Sequence, residues 1–297
     1  MSYSADDLAS MANGLEQSED YRVLRRLVPR ALSKPPVEDF KMGILLDFET
    51  TGLDTTKDEV IELGMVKFSY SGRGEVTAVV DTFSSFNQPS KSIPSEVTAL
   101  TGITNEMVSG QRIDPDAVSS FVSNSDFVIA HNANFDRKFA ERGWPIFTEK
   151  CWACSAQEVE WRNYGFDGSR LGYLLAGVGY FHEAHRAVED CQALLEILAR
   201  QLPETNTTAL AVLLERARRT TFRIWAERSP FDLKDELKKR GYRWNDGNDG
   251  RPKAWYVDVS ETQRDEELKF LRKSIYQRDV DLFTQSVTAV NCFSVRA

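Results

Sequence analysis

The sequence predicts an α/β fold followed by a second, small α+β unit, and three observations carry that prediction. The stretch Gly43-Ile44-Leu45-Leu46-Asp47-Phe48-Glu49-Thr50-Thr51-Gly52-Leu53 reads as a buried strand that ends in two carboxylates and a glycine turn. Strand-like stretches after it, divided by turns rich in Gly, Asp and Ser, give way to strand–helix units. Beyond Gln201 the pattern and the charge balance both change.

In the opening strand, side chains alternate between faces, so Asp47 and Glu49 project from one face with Cα atoms roughly 7 Å apart. Two carboxylates that close repel each other, and either a divalent cation with oxygen ligands or a shared proton relieves the repulsion. Asp-x-Glu alone is a weak signal in a chain with 45 acidic residues, so its meaning depends on the rest of the sequence.

Composition sets the class. The 297 residues are 41% hydrophobic and 28% charged, an ordinary globular balance for one large domain or two smaller ones. Apolar runs fall far short of the ~20 residues that a bilayer span requires. The start, Met1-Ser2-Tyr3-Ser4-Ala5-Asp6-Asp7, is acidic where a signal peptide is basic. Cys151, Cys154, Cys191 and Cys292 are too few for a disulfide scaffold, so the expected compartment is the cytoplasm. A net charge of −8 excludes a generic basic nucleic-acid binder. A phosphate-bearing substrate is then to be attracted by local basic groups and bound metal.

Residues 1–40 read as a helical appendage. Ser4 to Asp7 forms an N-cap box, Gly14 interrupts the pattern, and Tyr21 to Val28 resumes it as a second helix until Pro29. Pro35-Pro36 marks a linker. From Lys41 to about residue 202 lies the main domain. It begins as an antiparallel meander of the Asp47 strand, Val60 to Phe68, and Glu75 to Phe86. Short helices follow at Pro94 to Leu100, Asn105 to Val108 and Asp114 to Ser123. The apolar strand Phe127 to Ala130 runs into His131-Asn132-Ala133-Asn134-Phe135-Asp136-Arg137-Lys138-Phe139. Phe135 and Phe139 are four apart, which starts a helix with Asp136 near its positive end. Ile146 to Trp161 makes another strand–helix unit. In the last helix Ala187, Cys191, Leu194 and Leu198 form a buried stripe bordered by Asp190. His185 precedes Asp190 by five residues, about 140° around a helix, so the two address one site only if His185 lies in the preceding loop.

Taken together, Leu46-Asp47-Phe48-Glu49-Thr50-Thr51-Gly52, His131 to Asp136 and His185 to Asp190 resemble the motifs of DnaQ-like 3′-to-5′ exonucleases, in the branch with four acids and a catalytic histidine. That branch includes the proofreading epsilon subunit of bacterial DNA polymerase III. The resemblance covers about residues 42–201 and extends to Leu100-Thr101-Gly102-Ile103-Thr104, where Thr101 replaces the family's usual histidine. It implies a ribonuclease H-like fold, a mixed five-stranded sheet flanked by helices. It also implies that Asp47, Glu49, Asp136 and Asp190 hold two Mg²⁺ or Mn²⁺ ions about 4 Å apart. His185 is then the general base, and its ordinary pKa of about 6.5 suits that role. Thr50, Gly52 and Leu53, with Asn132 and Phe135, form the implied substrate-binding set, Leu53 lying against the terminal base. The implied reaction releases nucleoside 5′-monophosphates from DNA ends, in proofreading or repair, with a DNA polymerase or repair complex as partner. An exoribonuclease built on the same residues is the alternative. A non-catalytic nucleic-acid-binding module is disfavoured because all five catalytic positions are filled.

Other features receive blander readings. His182 lacks the spacing to Asp190 and reads as a surface histidine. Cys151-Trp152-Ala153-Cys154 has zinc half-site spacing but no second pair, so it reads as buried thiols beside Trp152. No glycine-rich phosphate loop is present.

A helical connector spans 203–220, with its helix from Ala209 to Arg219. The α+β unit, 221–297, comprises a strand at Thr221 to Ala226, helices at Phe231 to Arg240 and Thr262 to Tyr276, and a hairpin. In the hairpin, Gly241 to Trp244 pairs with Lys253 to Val257 across Asn245 to Gly250. Residues 279–297 read as one strand with a frayed end. Residues 221–297 hold 15 Lys and Arg against 13 Asp and Glu, so basic groups are concentrated here. Arg243, Lys253, Tyr242, Trp244, Trp255 and Tyr256 suit a single-strand handle, although such aromatics are more often the core of a small domain, and a core with a unit that docks a partner is the structural alternative.

Overall fold

A computed structural model describes residues 3–248 and 250–296. Its main sheet is built from β1 (Phe40–Thr50), β2 (Val60–Ser71), β3 (Val76–Phe86), β4 (Phe127–Ala130) and β5 (Cys151–Cys154). The order is β3-β2-β1-β4-β5. The first three strands are antiparallel, whereas β4 and β5 add in parallel. This is the expected mixed five-stranded sheet.

Alternation along β1 divides the core. Ile44, Leu46 and Phe48 point to one face, against helix α1 (Ala133–Gly143) and the short helix Pro115–Val122. Leu45 points to the other, where it joins the buried face of α2 (Ala187–Ala199). Parallel strands need helical crossovers, so both faces become covered and the strands are apolar almost throughout. Ala187, Cys191, Leu194 and Leu198 are all buried, as the stripe predicted. Among the described residues no helix is long and apolar enough to cross a membrane.

The N-terminal appendage departs from expectation. Ala5–Glu16 is one helix with the Ser4–Asp7 capping box, and it runs through Gly14, which is exposed with open space around it. The second predicted helix does not form. Arg25–Arg26 is extended and pairs in parallel with Tyr180–Phe181, with Arg25 N–H donating to Gly179 and Leu27 N–H to Phe181. The short helical pattern before Pro29 had no length to stabilise a helix in isolation, and a free strand edge supplied its backbone with partners instead.

The connector helix α3 (Ala209–Ala217) leads into a second sheet of β6 (Thr221–Ala226), β7 (Arg243–Trp244), β8 (Trp255–Ser260) and β9 (Thr284–Val287), ordered β9-β6-β8-β7. Asp249, in the loop of the predicted hairpin, lies outside the described residues. Ile224, Ala226 and Val259 pack one face against Leu237, Leu271 and Ile275 from the two covering helical segments. Residues 288–296 are no frayed strand: they strap the unit to the main domain. Arg137 of α1, fully buried, pairs with Glu141 at 2.8 Å and donates to the carbonyls of Cys292, Ala289 and Val290. A buried guanidinium needs such a complete set of acceptors.

Candidate active site

Gly64 decides how near the last acid comes to the first. It stands opposite Asp47 in the β1–β2 register, and a Cβ there would lie 2.3 Å from the Ala187 carbonyl carbon and the Val188 nitrogen. Only glycine lets the first turn of α2 rest on β2 at this point. Asp190, in that first turn, then meets the two acids of β1. Carboxylate oxygens of Asp47, Glu49 and Asp190 all lie within 4.8 Å of one another. Such an all-oxygen, all-anionic set suits a hard divalent cation.

Asp136 arrives from the opposite side, on the first turn of α1 after β4, and is 2% exposed. It stands outside the three-residue cluster, yet its charge helps to raise Asp47. Burial, followed by the charges of Asp136, Asp190, Glu49 and Glu62, pushes Asp47 well above the usual carboxylate range. Glu49 is pushed up to about 8 by burial first, then by Asp190, Glu62 and Asp136, with Arg186 opposing. Burial pushes Asp136 up to about 8, against hydrogen bonds from the backbone of Asp136 and Phe48. Acids crowded in this way retain protons until a cation replaces them.

Two residues that the sequence reading passed over hold this geometry. Glu62, fully buried and directly opposite Glu49, accepts from Arg186 Nη2 at 3.0 Å, Arg186 Nε at 3.3 Å and the Ala187 amide at 3.2 Å. Arg186 is the N-cap residue of α2, so this pair ties the start of the helix to β2. The available signal was a lone glutamate inside the apolar run Val60-Ile61-Glu62-Leu63.

The histidines need one correction. His182 is not a surface residue: its side chain is 7% exposed, and its Nε2 lies 3.0 Å from Asp190 Oδ1. Residues 182–186 form an irregular loop that folds back, so helical spacing did not apply to them. Asp190 Oδ2 accepts from the Arg186 amide at 3.1 Å. His185 lies in the same loop, exposed and left-handed at φ 68°. Its loop position meets the condition set by the five-residue offset.

Residues 44–198 match the exonuclease family (RNase_T). The chain belongs to the exonuclease family. Among its relatives, the DNA polymerase III PolC-type of Thermotoga petrophila is 30% identical over 173 residues, 53% of this chain and 12% of that protein. The DNA polymerase III subunit epsilon of Treponema pallidum is 28% identical over 165 residues, 52% of this chain and 74% of that one. The zinc-bound E. coli ExoI–ssDNA complex superposes with a TM-score of 0.50 at 13% identity, covering 79% of this chain and 71% of that structure; it speaks to fold alone. This exonuclease-family chain therefore spans 12% of the PolC-type protein it matches.

Of the residues read as contacting substrate, Thr50 and Gly52 follow Glu49 in the chain and Phe135 precedes Asp136. Thr50 is buried and donates to the Gly52 carbonyl at 2.6 Å, fixing the turn after β1. A Cβ on Gly52 would fall 2.5 Å from the Asp58 carboxylate, so a larger residue there would have to displace that side chain. Leu53 is 85% exposed. Asn132 precedes α1 and is exposed, with Phe135 half-buried beside Phe139, their rings 4.9 Å apart. Thr101, at the departure from the family motif, is buried and accepts from the Ile103 amide at 3.1 Å while donating to Val97. It closes the helix end before Gly102, a local structural task. The cysteines are free, as expected; Cys154 is buried and Cys151 half-buried.

Proposed function

We propose that this chain is a metal-dependent 3′-to-5′ exonuclease that hydrolyses the terminal phosphodiester of DNA and releases nucleoside 5′-monophosphates. The convergence of Asp47, Glu49 and Asp190, with Asp136 adjoining Asp47, is the observation that carries the reading. The donor set fits Mg²⁺ or Mn²⁺, because every ligand is a carboxylate oxygen and burial, then the charges of neighbouring acids, raises Asp47 and Glu49. When bound, two such ions supply Lewis acidity for in-line displacement at phosphorus.

The chain's own residues do the remainder. Asp47, shared between the Glu49–Asp190 side and Asp136, holds the centre of the ligand set. Glu62 and Arg186 fix the start of α2 and so set the Asp47-to-Asp190 separation. His185, exposed in the loop before α2, accepts the proton of the attacking water at an imidazole nitrogen. Leu53 and Phe135 face the last base, and the Thr50–Gly52 turn and Asn132 orient the sugar and phosphate. DNA is favoured over RNA because the relatives are named as DNA polymerase III proteins. A DNA polymerase or a repair complex is the corresponding partner.

The test uses 5′-labelled single strands of DNA and RNA with Mg²⁺ or Mn²⁺. The expected result is stepwise shortening of the DNA from its 3′ end with mononucleotide release. Shortening from the 5′ end overturns the polarity, faster loss of RNA transfers the substrate to the exoribonuclease alternative, and intact strands under all conditions refute the activity.

A further inference from the structure

The two faces of the small sheet differ in kind. One is covered by helices and forms the apolar core; the other carries Arg223 and Trp225 on β6, Tyr256 and Asp258 on β8 and Arg243 on β7, all opposite one another in register. This second face looks across a cleft of about 250 Å³ toward α1 and the end of α3. Lys138, Arg216, Arg219, Arg223, Arg243 and Arg251 line it, with Glu158 and Asp258 as the acids. Among the described residues that line it, six cations stand against two acids, a concentration of positive charge in a chain of net charge −8.

The acids do little to offset it. Asp258 accepts from Arg223 at 2.7 and 3.0 Å and from Arg243 at 2.8 Å, so its single charge aligns two guanidinium groups. Both guanidinium groups also lie over the Tyr256 ring, at 4.8 and 4.9 Å. That ring therefore orients cations. Glu158 is half-buried, and desolvation pushes it up to about 7, so its negative charge is incomplete at neutral pH. Arg216 pairs with Glu160 at 3.0 Å and Arg219 with Glu215, both at the surface, where pairs are weak and exchange for a stronger anion.

We propose that this cleft binds the phosphodiester backbone of single-stranded nucleic acid, away from the end that is cleaved. The proposal rests on the nucleic-acid reading given above. Asn134 and Lys138 share one side of α1, and Asp136 between them is about 200° around the helix from each, so the cleft and the carboxylates lie on different sides of α1. Guanidinium forks with no exposed aromatic platform read phosphate and not sequence. The site also revises the expected hairpin handle: Tyr242 is buried with its hydroxyl on Glu267, and Trp255 packs against the core, whereas Arg243 and Tyr256 face the cleft.

The test is fluorescence-anisotropy binding of a labelled dT20 to the full chain in EDTA, at several salt concentrations. R219Q/R243Q removes two half-exposed cations from the cleft, and R73Q/R112Q makes the same charge change outside it. The cleft variant should bind on the order of tenfold more weakly at 0.1 M salt and lose about 1.4 from the log–log salt slope, the share of two phosphate contacts on a single strand. The control should stay within about twofold of wild type, with thermal melts confirming that both variants fold. Equal binding by the two variants, or no binding of dT20 by the wild type, overturns the cleft. Digestion of dT20 in Mg²⁺ is scored separately. A strand that binds through these arginines but is never shortened sinks the exonuclease reading alone; one that is shortened while R219Q/R243Q binds normally sinks the cleft alone.

Discussion

Gly64→Ala adds one methyl group to the sheet and should disable the site without touching an acid. The new Cβ would meet Ala187 C and Val188 N at 2.3 Å, whereas ordinary van der Waals contact begins at 3.4 Å, so backbone must retreat by about 1 Å. Backbone cannot swing aside as a side-chain end can, and the element free to move is the first turn of α2, which carries Asp190. Overpacking of this kind costs about 1–3 kcal/mol of stability. A displacement of about 1 Å between catalytic groups costs about 10²-fold in rate. The assay is turnover on a short DNA strand with saturating Mn²⁺, beside a thermal melt. Gly72→Ala, where nothing lies within 4 Å, is the control and should be neutral in both measurements. If Gly64→Ala retains wild-type turnover, contact between β2 and α2 does not set the geometry of the acids, and the argument from the glycine fails.

Asp47→Ala and Asp190→Ala should each abolish nucleotide release while leaving the melting temperature close to wild type; near-normal turnover in either at saturating Mg²⁺ contradicts the ligand assignment. His185→Ala should lower turnover by about 10²- to 10⁴-fold with metal affinity retained, whereas His182→Ala should stay within about tenfold of wild type. The opposite ranking would move the general base to His182, which already touches Asp190. The pH dependence of the metal-free protein follows from Glu49 and Asp136, both raised to about 8. Between the unfolded carboxylate value near 4 and about 8, the folded state binds more protons, so stability is full below that window and falls as pH rises through it. Melts from pH 5 to 8 should show this decline, and Mn²⁺ should reverse it more strongly at pH 8 than at pH 6; a flat profile, or equal rescue at both, counts against a coupled acidic cluster.

The sheet was legible because each strand announced itself locally. Gly43 to Leu53 is an apolar run with acids at alternate positions, and that alternation determines which face Asp47 and Glu49 share. The stripe Ala187, Cys191, Leu194 and Leu198 likewise located α2. What depended on approach between distant segments was not legible. Gly64 looks like any strand glycine until α2 lies on it, and Glu62 looks misplaced until Arg186 reaches it. His182 was misjudged because helical geometry was applied to a loop, and loops have no period. Tyr21 to Val28 was misjudged because a weak helical pattern carries no information about a free strand edge at Tyr180–Phe181. The aromatic hairpin could be read as core or as binding surface, and register divided it: Tyr242 fell to the core, and Tyr256 to the cleft.

The central claim is that these carboxylates hold two divalent ions, with Asp47 common to both. Counting bound Mn²⁺ by electron paramagnetic resonance, with a nucleoside 5′-monophosphate present, tests it directly. Wild type should bind two ions per chain, Asp136→Ala one, and Asp47→Ala none. Wild type without tightly bound Mn²⁺, or Asp47→Ala with the wild-type count, would contradict it.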